Sequence, residues 1–420
     1  MPPTFSALKG MADVLPPDSA RFEALVAAFA NHVQRAGYGL VITPVLESYG
    51  LFTRVGESTD IVKKEMYDFE TKGGDHVALR PEGTAPVMRA FLEHHPAAPW
   101  KAWYVAPNFR YERPQAGRYR LHHQVGIEAI GTDDPDIDVE VVALQAGFYA
   151  ALGLTQVTLL LNSLGDAQCR PGYREVLLDF LRPKRDQLCG DHQERFEENP
   201  LRVLDCKKPP CRDATADAPN QVDHLCDDCV IHFERVKGGL TALKVDYVLE
   251  PRLVRGLDYY TRTTFEFAAT SLDAAQNAIG GGGRYDGLAE AMGGGRTPGI
   301  GFGSGIERIL LACDAEGVFL AEHVAPALDA FVIDTTGGDM ALALTTALRR
   351  VGFSADRAFD NRSMKAQLKA ADRSGARIAL IVGTDEREKE AVTLRDMTTK
   401  DQELVSLHDL PEELRKRLQR

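Results

Sequence analysis

The chain has 420 residues, of which 44% are apolar and 26% charged, and its 49 basic and 61 acidic side chains give a formal net charge of −12. These values are ordinary for a globular protein and predict about two to three domains. No apolar run approaches the ~18 residues of a membrane span, and the first residues lack the basic start and apolar core of a signal peptide. We therefore expect a cytoplasmic protein without a membrane span. The negative charge argues against a protein that binds nucleic acid mainly by non-specific phosphate neutralisation.

The first predicted element is an amphipathic helix at 18–37, with Asp18 as its N-cap after two prolines. Five apolar residues recur at helical spacing and would form one buried face. They are Phe22, Leu25, Val26, Phe29 and Val33. The next stretch, 40–47, has a strand pattern until Pro44. From there to about residue 155, short apolar runs alternate with glycine-punctuated loops, which favours a mostly antiparallel sheet because helical crossovers are few.

The stretch from about 167 to 242 interrupts two strand-rich regions. It is richer in charge and cysteine than its surroundings and shows helical patterns, which predicts a helical insertion. Strand patterns return at 247–254 and 263–269, and three glycine clusters follow within 280–305. We expect one α+β domain at 1–323, built on the mostly antiparallel sheet and containing the insertion.

The C-terminal part of the chain has a different pattern. After a predicted linker at 316–328, strand and helix patterns alternate from Phe331 to about residue 396. That rhythm is typical of a small, largely parallel α/β domain. We expect this domain to occupy 324–420 and to be large enough to fold alone.

The glycine clusters have neither the spacing of a dinucleotide-binding motif nor that of a P-loop. They either permit tight turns and close strand packing or belong to a nucleotide site on another kind of fold. Arginines also recur beside carboxylates along the chain. If they converge, their guanidinium groups could bind a triphosphate, and the carboxylates could bind an ammonium group or Mg²⁺. If they do not, they are surface ion pairs of little energetic weight.

Four of the seven cysteines lie close together in the sequence, and one pair has the C-x-x-C spacing of a zinc knuckle. The four are Cys206, Cys211, Cys226 and Cys229, and His224 and His232 lie near them. The cluster either binds a structural zinc ion or consists of partly buried free cysteines that pack a small helical lobe. A disulfide is the weaker alternative in a reducing compartment. The other cysteines, Cys169, Cys189 and Cys313, are interpreted as ordinary thiols.

Several longer strings carry a family resemblance. They are TPVLE (43–47) with GESTDIVKKEMYDF (56–69), FRYERPQAGRYR (109–120), LVRGLDYY (253–260), GGGGRYDGL (280–288) and GIGFGSGIERI (299–309). These resemble motifs 1, 2 and 3 of the class II aminoacyl-tRNA synthetases together with the two signatures of the histidyl-tRNA synthetase family. The tail, with SMKAQLKAADRSGA and LIVGTDE, is similar to that family's anticodon-binding domain.

The resemblance implies ATP-dependent ligation of L-histidine to tRNA(His) through a histidyl-adenylate, with release of AMP and pyrophosphate. ATP would bind as its Mg²⁺ complex. Arg110 would hold the α-phosphate and the histidine carboxylate, and Arg255 would stand near the α-phosphate; these two are the implied catalytic residues. Arg308 would hold the γ-phosphate and Arg118 the triphosphate tail, with Glu112 in the same ATP site. The family usually has an aromatic residue where this chain has His122.

The resemblance also implies a histidine pocket. Glu82, Thr84 and Gln124 would bind the α-ammonium group. Glu128 and Tyr260 would hydrogen-bond the imidazole nitrogens, with Tyr259 and Tyr285 as walls and Arg110 and Arg255 at the carboxylate.

A regulatory paralogue that binds histidine is the alternative. It typically lacks the anticodon domain and loses the ATP-binding arginines, whereas this chain has the domain and keeps Arg110, Arg255 and Arg308. A homodimer is implied by the family, and an apolar helix and strand at 22–46 would need a partner surface. The loop at 113–120 would meet the tRNA acceptor end. The anticodon would lie near four basic tail residues, which are Arg357, Arg362, Lys365 and Lys369.

Overall fold

The computed structural model describes residues 5–56, 59, 61–254, 259–273, 277–320, 328–360 and 362–419. The chain divides into two compact units, Met1–Val324 and Ala325–Arg420. Each unit has its own β-sheet and its own hydrophobic core. Among the described residues, no helix has the length and apolar character needed to cross a bilayer.

The first unit contains helices and strands in mixed order. In chain order they are α1 (Asp18–Gln34), β1 (Gly39–Leu40), β2 (Leu46–Ser48), α2 (Tyr49–Gly56), β3 (Tyr67–Glu70), β4 (His76–Leu79), α3 (Thr84–His94), β5 (Trp100–Phe109), β6 (Leu121–Ile130), α4 (Pro135–Ala151), β7 (Val157–Ser163), α5 (Arg170–Leu181), α6 (Gly190–Arg195), α7 (Leu201–Leu204), α8 (Pro209–Ala214), α9 (Asp227–Ala242), β8 (Val248–Leu249), β9 (Thr261–Ala269), β10 (Ala278–Arg284), α10 (Leu288–Ala291), β11 (Gly299–Gly305) and α11 (Ile306–Glu316). A π-helix spans Ile61–Glu65, and 3₁₀ helices span Arg182–Gln187 and Gln221–His224.

Eight of these strands form one sheet in the order β1-β5-β6-β11-β10-β9-β7-β8. The outermost pairs, β1 with β5 and β7 with β8, are parallel. All five pairings between them are antiparallel. Strands β2, β4 and β3 form a separate small antiparallel sheet. The predicted α+β domain on a mostly antiparallel sheet is confirmed.

One face of the large sheet carries the main hydrophobic core, to which α1, α4, α9 and α11 contribute. On α1, Leu25, Phe29 and Val33 are fully buried in this core, and Phe22 and Val26 pack at its edge. The predicted apolar face of the helix is therefore covered within the same chain. Our expectation that this helix needs a partner surface is wrong.

Three local expectations also need correction. Asp18 is the first residue of α1 and not its N-cap, which is Pro17; an acidic side chain in the first turn is still favoured by the helix dipole. Of the strand predicted before Pro44, only Leu40 is extended, in β1, and the chain after Pro44 forms β2 in a different sheet; Pro44 itself cannot donate a ladder hydrogen bond. Of the strand predicted at 247–254, only Val248–Leu249 is extended in the sheet.

The region predicted as an insertion is helical, but it serves two cores. Helices α5 to α8 enclose a small core of their own, in which Tyr173, Leu177 and Phe196 are buried. Helix α9 instead packs in the main core through Phe233 and Val236. The separate lobe therefore ends before α9, because the apolar face of this helix packs in the main core of the large sheet.

The second unit alternates strand and helix as predicted. Its elements are β12 (Ala330–Asp334), α12 (Asp339–Arg350), β13 (Ala355–Arg357), α13 (Met364–Arg373), β14 (Ile378–Val382), α14 (Thr384–Glu388), β15 (Ala391–Asp396), β16 (Gln402–Ser406) and α15 (Leu410–Leu418). The sheet order is β13-β12-β14-β15-β16. The first three strands are parallel, and the last two pairings are antiparallel. Of the linker predicted at 316–328, residues 321–327 lie outside the described part.

Candidate functional site

The face of the large sheet opposite the main core carries polar residues on its central strands. Along β6, Val125, Ile127 and Ala129 are buried in the main core. Because successive strand residues point to opposite faces, Gln124 and Glu128 lie on the other face. Gln124 and Glu128 are four positions apart, which is about 13 Å along a strand. The two side chains thus mark two ends of one elongated site.

Strand β11 repeats this alternation with glycine on the polar face. Ile300 and Phe302 pack in the main core, whereas a Cβ on Gly301 would lie 1.8 Å from Oε2 of Glu128. A Cβ on Gly299 would lie 2.3 Å from the ring of Tyr285. Glycine is therefore required here because side chains from neighbouring elements occupy the space above the strand. The clusters at 280–287 and 299–305 lie largely on β10 and β11, so they form the floor of a pocket.

Glu128 is the most deeply placed carboxylate of this pocket and is fully buried. The Thr84 hydroxyl donates to its Oε1 at 2.8 Å, and the Tyr285 hydroxyl donates to its Oε2 at 2.5 Å. Burial raises the pKa of Glu128 to about 8, and the nearby Glu82 contributes in the same direction. Each carboxylate oxygen can accept a second hydrogen bond, so Glu128 can still bind a donor from a ligand.

Glu82 lies at the N-terminus of α3 and is also buried. Its Oε2 accepts from the backbone N–H of Thr84 at 2.6 Å, and its Oε1 accepts from that of Ala85 at 2.9 Å. Burial raises the pKa of Glu82 although these hydrogen bonds and the charge of Arg110 oppose the shift. Two buried carboxylates in one pocket repel each other, so the pocket favours a cationic ligand.

Three tyrosines enclose the acidic pocket. Tyr285 and Tyr260 are buried in a cluster with residues of α3 and β5, and Tyr259 packs edge-on against Tyr285 with ring centroids 6.1 Å apart. The Tyr259 hydroxyl also reaches Oε2 of Glu82 at 3.4 Å. The tyrosine already hydrogen-bonded to Glu128 is Tyr285, which was expected only as a wall. Arg255, one of the two expected catalytic residues, lies outside the described residues.

The other end of the site is a cleft with about 770 Å³ of open space. It is lined by Arg110, Glu112, Arg118, His122, Gln124, Glu266, Glu307 and Arg308, together with glycines of β10 and β11. The structure thus brings together all four residues expected to bind ATP. Three of these four are arginines, so the cleft is suited to a polyanion.

Two arginines of this cleft, Arg110 and Arg308, are fixed by backbone carbonyl groups. Nε of Arg110 donates to the oxygen of Pro81 at 2.9 Å. Arg308 donates from Nε to Gly117 at 2.7 Å and from Nη1 to Ala278 at 2.8 Å. Burial, together with the charges of Arg118 and Arg110, lowers the pKa of Arg308. Guanidinium groups held close together despite their repulsion are positioned in advance for phosphates.

Two other side chains define the cleft. Glu112 forms an ion pair with Arg118, with 2.7 Å between Oε2 and Nε. His122 lies where the family usually has an aromatic residue, and burial with the charges of Arg110 and Arg308 lowers its pKa well below the ordinary value. His122 therefore presents a neutral imidazole to the cleft, and a neutral ring can stack on a base.

Sequence reasoning missed two members of the site on β5. Nδ2 of Asn108 donates to Oε1 of Gln124 at 2.8 Å and fixes the orientation of its amide. Tyr104 is buried in the same cluster as Tyr260 and Tyr285, and its ring lies 2.4 Å from the position of a Cβ on Gly126. The sequence signal that could have identified them is the period-two spacing of Tyr104, Asn108 and Arg110, which continues from β5 into the loop that follows it.

The cysteines form two separate groups, so the expected single cluster is wrong. One group is Cys189, His192, Cys206 and Cys211, and the other is Asp166, Cys169, Cys226 and Cys229. In each group the ligand atoms lie within 4.8 Å of one another. Among the described residues, neither His224 nor His232 belongs to such a group. Cys169 and Cys189, which were interpreted as ordinary thiols, belong to one group each.

The comparisons with known proteins agree over the whole chain. The sequence profile of the family described as histidyl-tRNA synthetase matches residues 10–309, and that of the anticodon binding domain matches residues 325–417. The histidine–tRNA ligase of Rhodococcus erythropolis is 49% identical over 98% of this chain and 97% of its own length. That of Streptomyces coelicolor is 48% identical over 99% of this chain and 98% of its own.

A solved structure, that of apo histidyl-tRNA synthetase from S. aureus, superposes with a TM-score of 0.83 at 35% identity and covers 98% of this chain and 100% of its own. The acidic pocket and the arginine cleft lie within residues matched by the first profile. The chain belongs to the histidyl-tRNA synthetase family, whose function is the aminoacylation of tRNA with histidine.

Proposed function

We propose that the chain activates L-histidine with ATP in this site and transfers the histidyl group to tRNA(His). The observation that carries the proposal is the division of one site into two electrostatic halves. Buried Glu82 and Glu128 occupy one half, and Arg110, Arg118 and Arg308 line the other. A histidyl-adenylate has a matching division, with a cationic ammonium group in its histidyl half and an anionic phosphate in its adenylate half.

Histidine would bind in the acidic half. Glu82 and Thr84 would accept hydrogen bonds from the α-ammonium group, with Gln124, which lines the neighbouring cleft, as its third expected partner. Glu128 would accept a hydrogen bond from an imidazole N–H. Tyr260 would meet the second imidazole nitrogen, with Tyr259 and Tyr285 around the ring. A site built to hydrogen-bond both ring nitrogens would reject apolar analogues by about 10⁴–10⁵-fold, because its buried polar groups would be left unpaired.

ATP would bind in the cleft as its Mg²⁺ complex. Arg308 and Arg118 would hold the terminal phosphates, Arg110 the α-phosphate, and the neutral His122 ring would stack on adenine. Glu112 and Glu266 line the same cleft, and carboxylate oxygens are the protein ligands that Mg²⁺ prefers.

The reaction then needs positioning and charge stabilisation and no protein nucleophile. A carboxylate oxygen of histidine attacks the α-phosphorus, a new P–O bond forms, and pyrophosphate leaves with the electrons of the broken bond. Arg110 neutralises the charge that develops on the α-phosphoryl oxygens. In the second step a terminal ribose hydroxyl of the tRNA attacks the acyl carbon, and AMP leaves.

The test of the function is ATP–pyrophosphate exchange by the purified full-length chain, run with each of the twenty amino acids and without tRNA. Exchange with histidine alone, followed by histidine-dependent charging of tRNA(His), supports the proposal. Histidine binding without exchange would identify a regulatory protein instead. Exchange with another amino acid would contradict the assignment of the pocket.

The second unit offers a surface for the anticodon. A cleft there, with about 580 Å³ of open space, is lined by Arg357, Phe359 and Arg362. Phe359 is 57% exposed, and the Arg357 guanidinium lies 4.5 Å from its ring centroid. An exposed aromatic ring beside arginines is a stacking platform for unpaired bases.

Replacing Phe359 with alanine should weaken tRNA binding by about 1–3 kcal/mol, since one base loses its stacking partner. Arg357→Gln should also reduce the slope of log affinity against log salt by about one. Both variants should keep histidine-dependent pyrophosphate exchange, because the activation site lies in the first unit. Lys416→Gln, at an 80% exposed side chain on α15, is the control for lost charge. Equal loss of exchange would contradict this division of labour.

We propose a homodimer in which the segment 40–46 meets the partner. Leu40, Ile42 and Leu46 are 49%, 85% and 43% exposed in the single chain. Ile42→Asp should shift the monomer–dimer equilibrium towards monomer by at least about tenfold, because a charge is placed in an apolar contact. Sedimentation equilibrium measures the shift. Leu404→Asp, at a 51% exposed leucine of the second unit, should leave the equilibrium unchanged; an unchanged Ile42→Asp protein would place the interface elsewhere.

A further inference from the structure

The insertion and its base contain six of the seven cysteines, and these fall into two groups of three. The first, called here the lobe group, is Cys189, His192, Cys206 and Cys211. The second, called here the hinge group, is Asp166, Cys169, Cys226 and Cys229. Each group thus offers three sulfur atoms and one nitrogen or oxygen, which are ligand types that zinc accepts in four-coordinate sites.

The lobe group has the dimensions of a tetrahedral site. With zinc–sulfur and zinc–nitrogen bonds of about 2.3 and 2.0 Å, the sulfur and nitrogen corners of a tetrahedron are about 3.5 Å apart. Nδ1 of His192 lies 3.4 Å from Sγ of Cys189 and 3.5 Å from Sγ of Cys211. These ligands come in two short sequence pairs, Cys189-x2-His192 and Cys206-x4-Cys211, within the spacing usual for zinc.

The hinge group has similar dimensions. Two sulfur corners of a zinc tetrahedron are about 3.8 Å apart, and Sγ of Cys169 lies 3.8 Å from Sγ of Cys229. Oδ1 of Asp166 lies 3.5 Å from Sγ of Cys169 and 3.8 Å from Sγ of Cys226. Its sequence pairs are Asp166-x2-Cys169 and Cys226-x2-Cys229. Arg262 lies 3.4 Å from the other carboxylate oxygen of Asp166 and offsets part of the negative charge.

The alternative interpretations explain these contacts less well. A disulfide has its sulfur atoms about 2.05 Å apart, far less than the distance between Cys169 and Cys229, and all described cysteines are free. Thiols that merely pack a core would have no reason to converge on the ring nitrogen of His192 or on a carboxylate. Three sulfurs and one harder ligand meeting twice, from four short sequence pairs, are what metal coordination requires.

The structure of the lobe also explains why it would need a metal. Helices α6, α7 and α8 have six, four and six residues, whereas helices shorter than about 12–15 residues are marginal without tertiary support. The lobe group joins the start of α6 to the start of α8 through Cys189 and Cys211. The hinge group joins the chain just after β7 to the start of α9, where the separate lobe ends.

We propose that the chain binds two structural zinc ions, one in the lobe group and one in the hinge group. The lobe zinc cross-links helices too short to be stable alone. The hinge zinc closes the loop formed by the insertion and fixes both ends of the insertion to the large sheet. Cysteines bind as thiolates, so three protons leave at each site when the metal enters.

The test begins with the full-length chain as it is expressed, without substitution. After purification without added metal and desalting, the protein should contain two zinc ions per chain, as measured by inductively coupled plasma mass spectrometry. Titration of its thiols with a mercurial reagent should release both ions. Cys211→Ser should retain one ion, Cys229→Ser should retain one, and the combined variant none. Cys313→Ser, which removes a fully buried thiol of the main core, is the matched control and should retain two.

Other results would overturn the proposal. One zinc ion per chain, lost in both single variants, would mean a single shared site. No metal in a wild-type protein that is folded by circular dichroism, with all seven thiols titrated as free after denaturation, would mean that the cysteines only pack the lobe. Iron in place of zinc would overturn the identity of the metal. Should a single variant fail to fold, the metal content and thiol titration of the wild-type protein still decide between these outcomes.

Discussion

Arg110→Gln is expected to lower the rate of histidine-dependent ATP–pyrophosphate exchange by about 10²–10³-fold, the loss typical of one positioned donor at a developing charge. Among the residues that the structure describes, this guanidinium is held through the 2.9 Å bond from Nε to Pro81, and no hydrogen bond of its terminal nitrogens is seen. The two terminal nitrogens are left for the cleft that Arg110 lines. Because the contact strengthens in the transition state, the loss should appear mainly in kcat.

Two further variants define what Arg110 contributes. Arg110→Lys keeps the charge but loses the planar fork, so its exchange rate should lie between those of the wild type and the glutamine variant. Arg235→Gln removes an exposed arginine that pairs with Asp136 on the protein surface, and it should exchange at the wild-type rate. Full exchange by Arg110→Gln would show that another cation holds the α-phosphate.

Glu128→Gln is expected to lower activity and raise stability together. Histidine would bind the carboxylate form of Glu128, and loss of a hydrogen bond to a charged group costs about 1.5–3 kcal/mol. Measured at pH 8, near the pKa of Glu128, kcat/KM for histidine should therefore fall by about 10–10²-fold. Pyrophosphate exchange at varied histidine concentration measures this. The acyl-group chemistry is unchanged, so the loss should appear mainly in the apparent affinity for histidine.

The effect on stability follows from the pKa of Glu128, which burial raises from 4.5 to about 8. Between these pH values the folded chain holds a proton that the unfolded chain has released, so the stability contributed by this residue falls as the pH rises. Glutamine has no such dependence. At pH 8 the free energy of unfolding of Glu128→Gln should exceed that of the wild type by about 1–3 kcal/mol, after allowance for poorer hydrogen bonding to Thr84 and Tyr285.

Denaturant unfolding at several pH values provides the measurement. The difference between the two proteins should shrink as the pH is lowered towards 5, where both states of the wild type approach the same protonation. Glu290→Gln, at an exposed carboxylate on α10, should change neither activity nor the pH dependence. A glutamine variant less stable than the wild type at pH 8 would contradict a protonated, destabilising Glu128.

The residues that the motifs bring together could be predicted, because a motif fixes residue types at fixed chain positions. Arg110, Arg118 and Arg308 do line one cleft, and Thr84 does contact Glu128. Their roles towards histidine and ATP remain predictions. The partner of Glu128 could not be foreseen, because nothing in the order of residues shows that Tyr285, which follows β10, reaches across to β6.

For the cysteines, proximity along the chain gives a wrong prediction of which residues meet. Proximity along the chain suggested that Cys211 and Cys226 belong together, yet they lie in different groups. Cys169 and Cys189 give no sign of metal binding in the sequence, because each is isolated there. Ligands are brought together by packing of the helices α5 to α9, and spacing alone carries no information on which pair meets which.

The surface that covers the N-terminal helix α1 could not be predicted for a related reason. Its apolar stripe was read correctly, since Leu25, Phe29 and Val33 are buried, but a stripe does not say which surface covers it. The main core of the same chain does so. The segment around Ile42, for which a strand is predicted up to Pro44, is exposed in the single chain.

Strand β11 has seven residues, and its two faces differ in whether substitutions that increase thermal stability are possible. Glycine in a strand costs about 0.5–1 kcal/mol relative to alanine, so Gly299 and Gly301 would ordinarily be first choices for replacement. Here any added carbon would collide with Tyr285 or Glu128. Stabilising substitutions must therefore be sought on the side of Ile300 and Phe302 or elsewhere, and the loss of stability at these glycines is a permanent cost of keeping a pocket at the centre of the sheet.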